Sequence, residues 1–255
     1  MALFRNAIPI LEYDDNPAAL IRPDRHPEIV LPGRAVFAFL GDTIDRYAQA
    51  HEAQVLDVFQ TVTGDTPIYR IDHQGQALCL CRAPLGASAS VQLLDWLIVH
   101  GVRSVICAGS CGALVPLPEN TFLIPAKALR DDGTSYHYLP PARFVEIPVA
   151  IRNIIERVLS ARGLKYTECI TWTTDGFYRE TEELVAYRRT EGCSTVEMEC
   201  AALAACAQFR GALFGQLLYT ADTLADAANY DERDWGMDSL EPALALCLEI
   251  AKNLP

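Results

Sequence analysis

Apolar runs of strand length recur along this chain of 255 residues, and each ends at a glycine or a polar residue. The runs lie at 35–40, 102–108, 122–126, 166–174 and 213–221, and stretches with helical spacing of apolar residues separate several of them. Short apolar runs are typical of buried strands, and their alternation with helices indicates a parallel or mixed sheet. We therefore predict an α/β fold: one domain with a central mixed, partly parallel sheet that is flanked by helices.

The first 33 residues differ from the rest, because Pro, Asp and Arg dominate them. We interpret 1–33 as an irregular N-terminal arm and 34–255 as the α/β domain, since no linker interrupts the latter. Alternating and β-branched residues predict two or three strands between 54 and 81, with turns at 64–67 and 73–75. Helical spacing predicts helices at about 88–100, 148–162, 181–191 and 240–253.

Composition excludes several classes of protein. The formal charge of −12 disfavours nucleic acids and anionic membranes as partners, because both need a basic surface. No apolar run approaches the roughly 20 residues that span a bilayer, and the N-terminus does not resemble a signal peptide. The nine cysteines include no CxxC pair and no Cys/His group with zinc spacing. We expect a cytoplasmic protein with reduced thiols, no metal and no bound cofactor.

The stretch 194–207 begins like a strand and continues as a helix of small residues. Glu197 and Glu199 lie two positions apart where the strand should end, so their side chains share one face. A buried carboxylate there is costly unless a polar group meets it. Two interpretations are open at this point: Glu199 caps the following helix, whose dipole favours an acid, or it binds a ligand.

Six short motifs follow predicted strands. Ligands of α/β sheets bind at the carboxyl ends of the strands, and small residues there let a ligand approach the backbone closely. The motifs are Gly41-Asp42, Gly86, Gly109–Gly112, Phe177-Tyr178, Met198-Glu199 and Asp222. Their coincidence predicts a ligand site that they share.

These motifs resemble those of the nucleoside phosphorylase family, which has the purine nucleoside/uridine phosphorylase fold. The resemblance covers about residues 30–250 and is carried by Gly41-Asp42, Leu85-Gly86, Ala108–Ala113, Asp175–Tyr178, Val196–Glu199 with its Ala-rich helix, and Thr220–Asp222. It implies an enzyme that cleaves the N-glycosidic bond of a nucleoside with inorganic phosphate as co-substrate. It also implies a homo-oligomer, either a dimer or a hexamer made of dimers.

The resemblance assigns the sugar and the base to particular residues. Glu199 would accept hydrogen bonds from both ribose hydroxyls, and Met198 would lie against the apolar face of the sugar. Phe177 would stack on the base. The further residues that it implies are Val196 and Tyr178 for the base, and His26 from a neighbouring subunit for the 5′-hydroxyl.

Asp222 is the implied general acid. Desolvation at the end of a buried strand would raise its pKa, so that it carries a proton to the leaving purine. Either Arg233, which follows it in the chain, or Arg179, which follows the Phe-Tyr pair, would assist. An aspartate at this place resembles the purine branch of the family, whereas the Gln and Arg with which the uridine branch reads its base have no match here. We therefore expect a purine nucleoside.

The phosphate half of the site departs from the family pattern. Three positions at which the family's phosphorylases carry arginine hold Asp45, Cys107 and, in the segment given by a neighbouring subunit, Gly64. Phosphate without charge-assisted contacts is held weakly. The residues left to bind it are Gly41, Ser110, Arg46 and Arg82.

Three functions are compatible with these residues. We expect a phosphorylase that acts on a purine nucleoside with a rearranged set of phosphate donors. The first alternative is a hydrolase of the same fold, for which Asp42, Asp45 and Glu197 are candidate general bases. The second is a nucleoside-binding protein with weak activity or none. The joint presence of Glu199 and Asp222 favours an enzyme, because binding alone needs no general acid.

Overall fold

The apolar runs form the strands of one ten-stranded sheet in a computed structural model that describes residues 5–23, 28–226 and 228–255. Runs of apolar residues in these strands are fully buried, as Val36–Ala38 and Val105–Ala108 show. The strands are β1 (Arg34–Ala38), β2 (Gln54–Thr61), β3 (Gly64–His73), β4 (Gln76–Arg82), β5 (Ser104–Ala113), β6 (Phe122–Asp131), β7 (Phe144–Glu146), β8 (Tyr166–Thr174), β9 (Thr195–Glu197) and β10 (Leu213–Thr223).

Helices cover this sheet and pack on one another. Helix α2 packs against α5, α3 packs against α6 and β10, and α6 also covers β5 and β1. The helices are α1 (Thr43–Ala50), α2 (Ala87–Val99), α3 (Val149–Ala161), α4 (Glu182–Thr190), α5 (Cys200–Arg210) and α6 (Leu240–Asn253). These four predicted helices are present, as is the helix of small residues predicted within 194–207, and the bounds of α6 coincide with the predicted ones.

Part of the sheet closes into a ring. The strand order is β10-β6-β8-β9-β5-β1-β4-β3-β2, with β7 on β6, and β10 also pairs with β5. Strands β10, β6, β8, β9 and β5 therefore form a closed ring, from which β1, β4, β3 and β2 extend. The β1–β4, β1–β5, β5–β10, β6–β8 and β8–β9 pairs are parallel and the others are antiparallel. This mixed sheet with flanking helices confirms the predicted fold class.

Several strand predictions were wrong in their bounds, among them 122–126, because β6 continues to Asp131 alongside β8. Strand β5 does not end at Ala108 but runs on through Ala113, because β10 and β9 offer it hydrogen-bonding partners on both sides. The predicted turn at 64–67 is part of β3, and the chain turns before Gly64. Pro67 is tolerated there because it pairs only with Val58 on β2, beyond the end of the β3–β4 ladder.

In the described parts of the N-terminal arm, 5–23 and 28–33, regular structure is limited to a short 3₁₀ turn at Pro9–Leu11. The carbonyl of Pro17 accepts a hydrogen bond of 3.0 Å from Arg210 at the end of α5. The division into an arm and a domain stays a prediction. No helix in the described ranges combines the length and the apolar character that a bilayer span requires.

We predict that Gly215→Ala destabilises the contact between β10 and α3. A Cβ atom at Gly215 would lie 2.9 Å from both Cδ1 and Cγ1 of the buried Ile151. Overpacking of this kind lowers the free energy of unfolding by about 1–3 kcal/mol, which urea denaturation measures.

Gly33→Ala is the matched control, because the nearest atom to its Cβ would be the Gly101 carbonyl oxygen at 4.0 Å. Its effect should stay within about 0.5 kcal/mol. Adding Ile151→Val to Gly215→Ala should restore part of the loss, since the valine lacks the crowded Cδ1. Equal losses in the two glycine variants would contradict this packing argument.

Candidate active site

A cavity of about 130 Å³ brings most of the predicted motifs together. Residues at or just beyond the ends of β1, β4, β5, β8, β9 and β10 line it. They are Phe39, Leu85, Gly109–Gly112, Phe177, Glu180, Val196–Glu199, Gln216, Ala221, Asp222 and, from a later loop, Trp235. The cavity is therefore shared by segments that are distant in the sequence, as the motif pattern predicted.

Glu197 fixes the turn from β9 into α5. Its Oε2 accepts hydrogen bonds from the backbone amides of Glu199 and Cys200, at 2.8 and 2.6 Å. Its Oε1 accepts one of 2.5 Å from the Thr173 hydroxyl on β8. The side chain is buried, and burial raises its pKa to about 7 although these donors oppose the shift.

Glu199 faces the cavity and does not cap α5. It occupies the N-cap position of the helix, but its side chain accepts no hydrogen bond from the helix amides. Instead, Oε1 accepts a hydrogen bond of 2.7 Å from the Gly86 amide, and the residue is 6% exposed. Burial, and next the charge of Glu197, raise its pKa to about 8. The capping interpretation therefore applies to Glu197, and the carboxyl group of Glu199 is left for a ligand.

A second pair of carboxyl groups, Asp222 and Glu180, lies at the end of the cavity that adjoins another pocket. Asp222 is 7% exposed, and burial raises its pKa, while the Tyr230 hydroxyl that donates to Oδ2 at 3.2 Å opposes the rise. Burial, together with the charge of Asp222, raises the pKa of Glu180 to about 7. The motif pattern did not single out Glu180, although it lies three residues beyond Phe177.

Gly112 allows this end of the cavity to be narrow. A Cβ atom at Gly112 would lie 3.0 Å from Cγ1 of Val196 and 3.2 Å from Oδ1 of Asp222. Any side chain at this position would displace one of the two. The glycine thus lets the valine and the aspartate approach β5 closely.

Phe177 and Tyr178, the two aromatic residues predicted to bind the base, differ in the space that they line. Phe177 lines the cavity and meets Tyr178 edge to face, with 5.0 Å between the ring centroids. Tyr178 is 93% exposed and lines an adjoining open pocket that also contains Glu180 and Asp222. Val196 and Met198 line the cavity itself. His26 lies outside the described residues.

Arg233 contacts the backbone near Asp222 and does not line the cavity. Its guanidinium donates to the carbonyl oxygens of Ala221, at 3.2 Å, and of Leu117, at 2.8 Å. Its charge lowers the pKa of Asp222 to a small extent. The side chain therefore holds the end of β10 in place.

The predicted phosphate donors do not gather in the cavity. Ser110 lines it, whereas Gly41, Arg46 and Arg82 lie outside its lining. Arg46 forms an ion pair of 2.6 Å with Asp42, and Arg82 one of 3.4 Å with Asp45. Among the described residues that line the cavity there is neither an arginine nor a lysine.

The structure adds cavity residues that the motifs did not include, namely Phe39, Glu180, Gln216 and Trp235. Gln216 had a visible signal, because it is a polar residue in the middle of the apolar run 213–221. Such a residue in a buried strand needs a partner. Trp235 had no comparable signal, since it comes from an irregular loop.

Comparisons with known proteins agree with this architecture. A family model described as the phosphorylase superfamily matches residues 34–251. Uridine phosphorylase of Haemophilus influenzae is 28% identical over 119 residues, which cover 44% of this chain and 45% of that protein. The matched segment thus spans less than half of that relative.

Solved structures with the same fold include both phosphorylases and a nucleosidase. Purine nucleoside phosphorylase from Toxoplasma gondii, in complex with immucillin-H, has a TM-score of 0.75 at 19% identity and covers 89% of this chain and 92% of its own. Uridine phosphorylase from Vibrio fischeri has a TM-score of 0.76 at 20% identity and covers 88% of this chain and 93% of its own. AMP nucleosidase from Bacteroides thetaiotaomicron has a TM-score of 0.72 at 18% identity and covers 91% of this chain and 95% of its own. These likenesses show the fold, and the family model that spans residues 34–251 shows that this chain belongs to the phosphorylase superfamily of nucleoside phosphorylases and nucleosidases.

Proposed function

We propose that this protein cleaves the N-glycosidic bond of a purine nucleoside and transfers the ribosyl group to water. The observation that carries the proposal is the acidic character of the cavity lining. Glu180, Glu197, Glu199 and Asp222 line it, and no cationic side chain does so among the described residues. Such a cavity suits a substrate whose sugar becomes positive in the transition state and opposes a multiply charged phosphate.

The sugar end of the cavity favours ribose. The Glu199 carboxyl is buried and fixed by the Gly86 amide, so it can accept hydrogen bonds from the ribose hydroxyls without rearranging. Met198 offers an apolar surface for the sugar ring. As positive charge develops on the sugar, the ionised form of Glu199 becomes more favourable, and the interaction is stronger in the transition state than in the ground state.

The base end favours a leaving group that accepts a proton. Burial keeps Asp222 protonated at a higher pH than an ordinary aspartate, which suits a general acid for a ring nitrogen of a purine. Phe177 is in position to stack on the base. Glu180 is a second group in the same region that retains its proton up to a pH of about 7.

Phosphorolysis is the second candidate, and two observations favour it. Ser110 lines the cavity, and the exposed turn at Gly41 has the left-handed φ of +56° that lets backbone approach an anion closely. Arg82 would have to leave Asp45 to contribute. We rank hydrolysis higher because both nearby arginines, Arg46 and Arg82, are paired with carboxylates.

The mouth of the cavity supports the expected homo-oligomer. Leu85, Phe177 and Trp235 line the cavity and are exposed, and Tyr178 lies beside them. Apolar side chains grouped around a site are typical of a surface that a partner covers. We propose that a second copy of the chain covers this mouth.

The first prediction concerns the acceptor. We expect release of the base from inosine, guanosine or adenosine in a phosphate-free buffer, with free ribose as the other product. Chromatography of the base and detection of ribose or ribose 1-phosphate measure this. Release that requires phosphate and yields ribose 1-phosphate would establish the second candidate, and no release from any nucleoside would indicate a binding protein.

The second prediction concerns the ribose clamp. Glu199→Ala should lower kcat/KM at least about 100-fold, because the hydrogen bonds that orient the sugar are lost, and these bonds become charge-assisted as Glu199 ionises in the transition state. A substrate that lacks the 2′-hydroxyl separates this role from damage to the fold. The wild type should discriminate between the ribo- and 2′-deoxyribonucleoside, whereas Glu199→Ala should discriminate far less. Unchanged discrimination in the variant would remove this assignment.

The third prediction concerns Asp222. Asp222→Asn should lower kcat for purine cleavage by about 10²–10⁴-fold and change KM little, with the exposed Asp238→Asn as the control. The acid must be protonated to act, and its folded-state pKa is raised. Wild-type kcat should therefore fall as pH rises through the pKa of Asp222, which lies above that of an ordinary aspartate.

A pH profile of kcat between about 5 and 9 tests whether kcat falls as pH rises. In Asp222→Asn the fall in kcat that Asp222 causes should disappear, because the amide does not titrate, whereas Glu180 and Glu199 still titrate in the variant. A fall with the same midpoint in the wild type and in the variant would contradict Asp222 as the general acid.

A further inference from the structure

A second pocket of about 330 Å³ adjoins the cavity at the end that carries Asp222. The two spaces share Phe177, Glu180 and Asp222 in their linings. The cavity alone is smaller than the roughly 300–1,000 Å³ of most small-molecule sites, and the second pocket brings the space into that range. The combined space therefore suits a substrate that extends past these three residues.

The shared residues determine which part of the substrate borders on the second pocket. Phe177 and Asp222 are the residues proposed above to stack on the base and to protonate it, so the leaving group borders on the pocket and the sugar does not. In a purine, N7 and the substituent at position 6 lie on the same edge of the ring. A base that meets Asp222 through N7 thus places its 6-substituent on the side where the pocket opens.

One wall of the second pocket is apolar. Val185 on α4 is buried, and Leu224, just beyond β10, is half-buried. The rings of Phe177 and Tyr230 are 42% and 54% exposed. A segment of several carbon atoms would cover this wall, and exposed rings also attract a cation that lies over their faces.

The rest of the lining is acidic. Four acids belong to it, namely Glu180, Glu182, Asp222 and Asp226. Among the described residues, the lining contains no lysine, arginine or histidine. Asp226 is held by its own loop, because it accepts hydrogen bonds from the Ala228 amide and from the Asn229 side chain. The combination of aromatic rings with carboxyl groups is the one that recognises ammonium ions.

Glu180 is the acid of this pocket that lacks a partner in the protein. It is half-buried, and neither a hydrogen bond nor an ion pair joins its carboxyl group to another described residue. Burial, and next the charge of Asp222, raise its pKa to about 7. A cation beside Glu180 would offset both effects, because opposite charge stabilises the carboxylate form.

We propose that the second pocket binds an amine-terminated chain on the 6-nitrogen of the purine, so that the substrate class is adenine nucleosides with a cationic N6 substituent. The proposal rests on the proposed function for the place of the base. The carbon chain packs against Phe177 and Leu224, and the ammonium group meets Glu180 and the exposed Glu182. An ammonium group has only donors, which suits carboxylates and the faces of aromatic rings.

Two nucleosides of equal length test the recognition of charge. N6-(4-aminobutyl)adenosine ends in an ammonium group where N6-pentyladenosine ends in a methyl group. We expect kcat/KM for base release from the amine to exceed that for the pentyl compound about tenfold, and to be no lower than that for adenosine. Equal values for the two long compounds, or much lower values for both than for adenosine, would overturn the inference.

Glu182→Lys and Glu183→Lys form a matched pair of variants. Both residues are exposed in the first turn of α4, and Glu182 lines the pocket whereas Glu183 does not. Both substitutions reverse a charge next to the same helix dipole, so their effects on the fold should be alike. In Glu182→Lys the ratio of kcat/KM for the amine to that for the pentyl compound should fall to about one or less, and in Glu183→Lys it should stay within about threefold of the wild type. Equal ratios in the two variants would contradict the proposed place of the ammonium group.

Failure of the proposed function has a separate signature. A wild-type enzyme that releases base from adenosine only with phosphate refutes hydrolysis, and the ratio for the two long nucleosides is then measured with phosphate present. If no nucleoside is cleaved, calorimetry gives the two dissociation constants, and the amine should bind about tenfold more tightly. Equal dissociation constants would overturn the inference in that case.

Discussion

The Glu197 carboxylate, buried between β8, β9 and the first amides of α5, is the contact on which the site depends. It joins two strands of the ring to the helix that follows, and it satisfies amides that a helix start leaves open. Because Glu197 takes this role, Glu199 is free to face the cavity. Of the two acids in this short motif, Glu197 therefore positions the start of the helix and Glu199 remains available to a ligand. The roles differ because the helix amides donate to Glu197 and not to Glu199.

Burial raises the pKa of the acids that line the cavity. Desolvation has this effect on Glu199, on Asp222 and on Glu180, in a space without a compensating cation among the described lining residues. The proposed reaction uses such acids, because positive charge develops on the sugar and negative charge on the base.

The local sequence pattern was enough to predict most helices and strands. It did not predict which distant strands pair with each other. The bounds predicted for β8 and α6 match Tyr166–Thr174 and Leu240–Asn253, since each has a clear period and clear ends. The closure of β10 onto β5 joins residues far apart in sequence and leaves no local signal, so the continuation of β5 to Ala113 was missed. Motif order located most of the cavity, whereas Trp235 came from a loop without periodicity. The ion pairs that hold Arg46 and Arg82 depend on side-chain geometry that the sequence does not contain.

The closed ring has a consequence for how such a site can diverge. Gly109–Cys111 pair with β10 and Gly112 pairs with β9, so a change at any of them disturbs a ladder of the ring. Two other parts of the cavity wall are built differently: Phe177 lies in a short 3₁₀ turn, and Trp235 lies in an irregular loop. Substitutions in those two segments leave the ladders intact. The wall that these segments form can therefore drift in evolution at little structural cost, while the wall that the ring forms stays constrained.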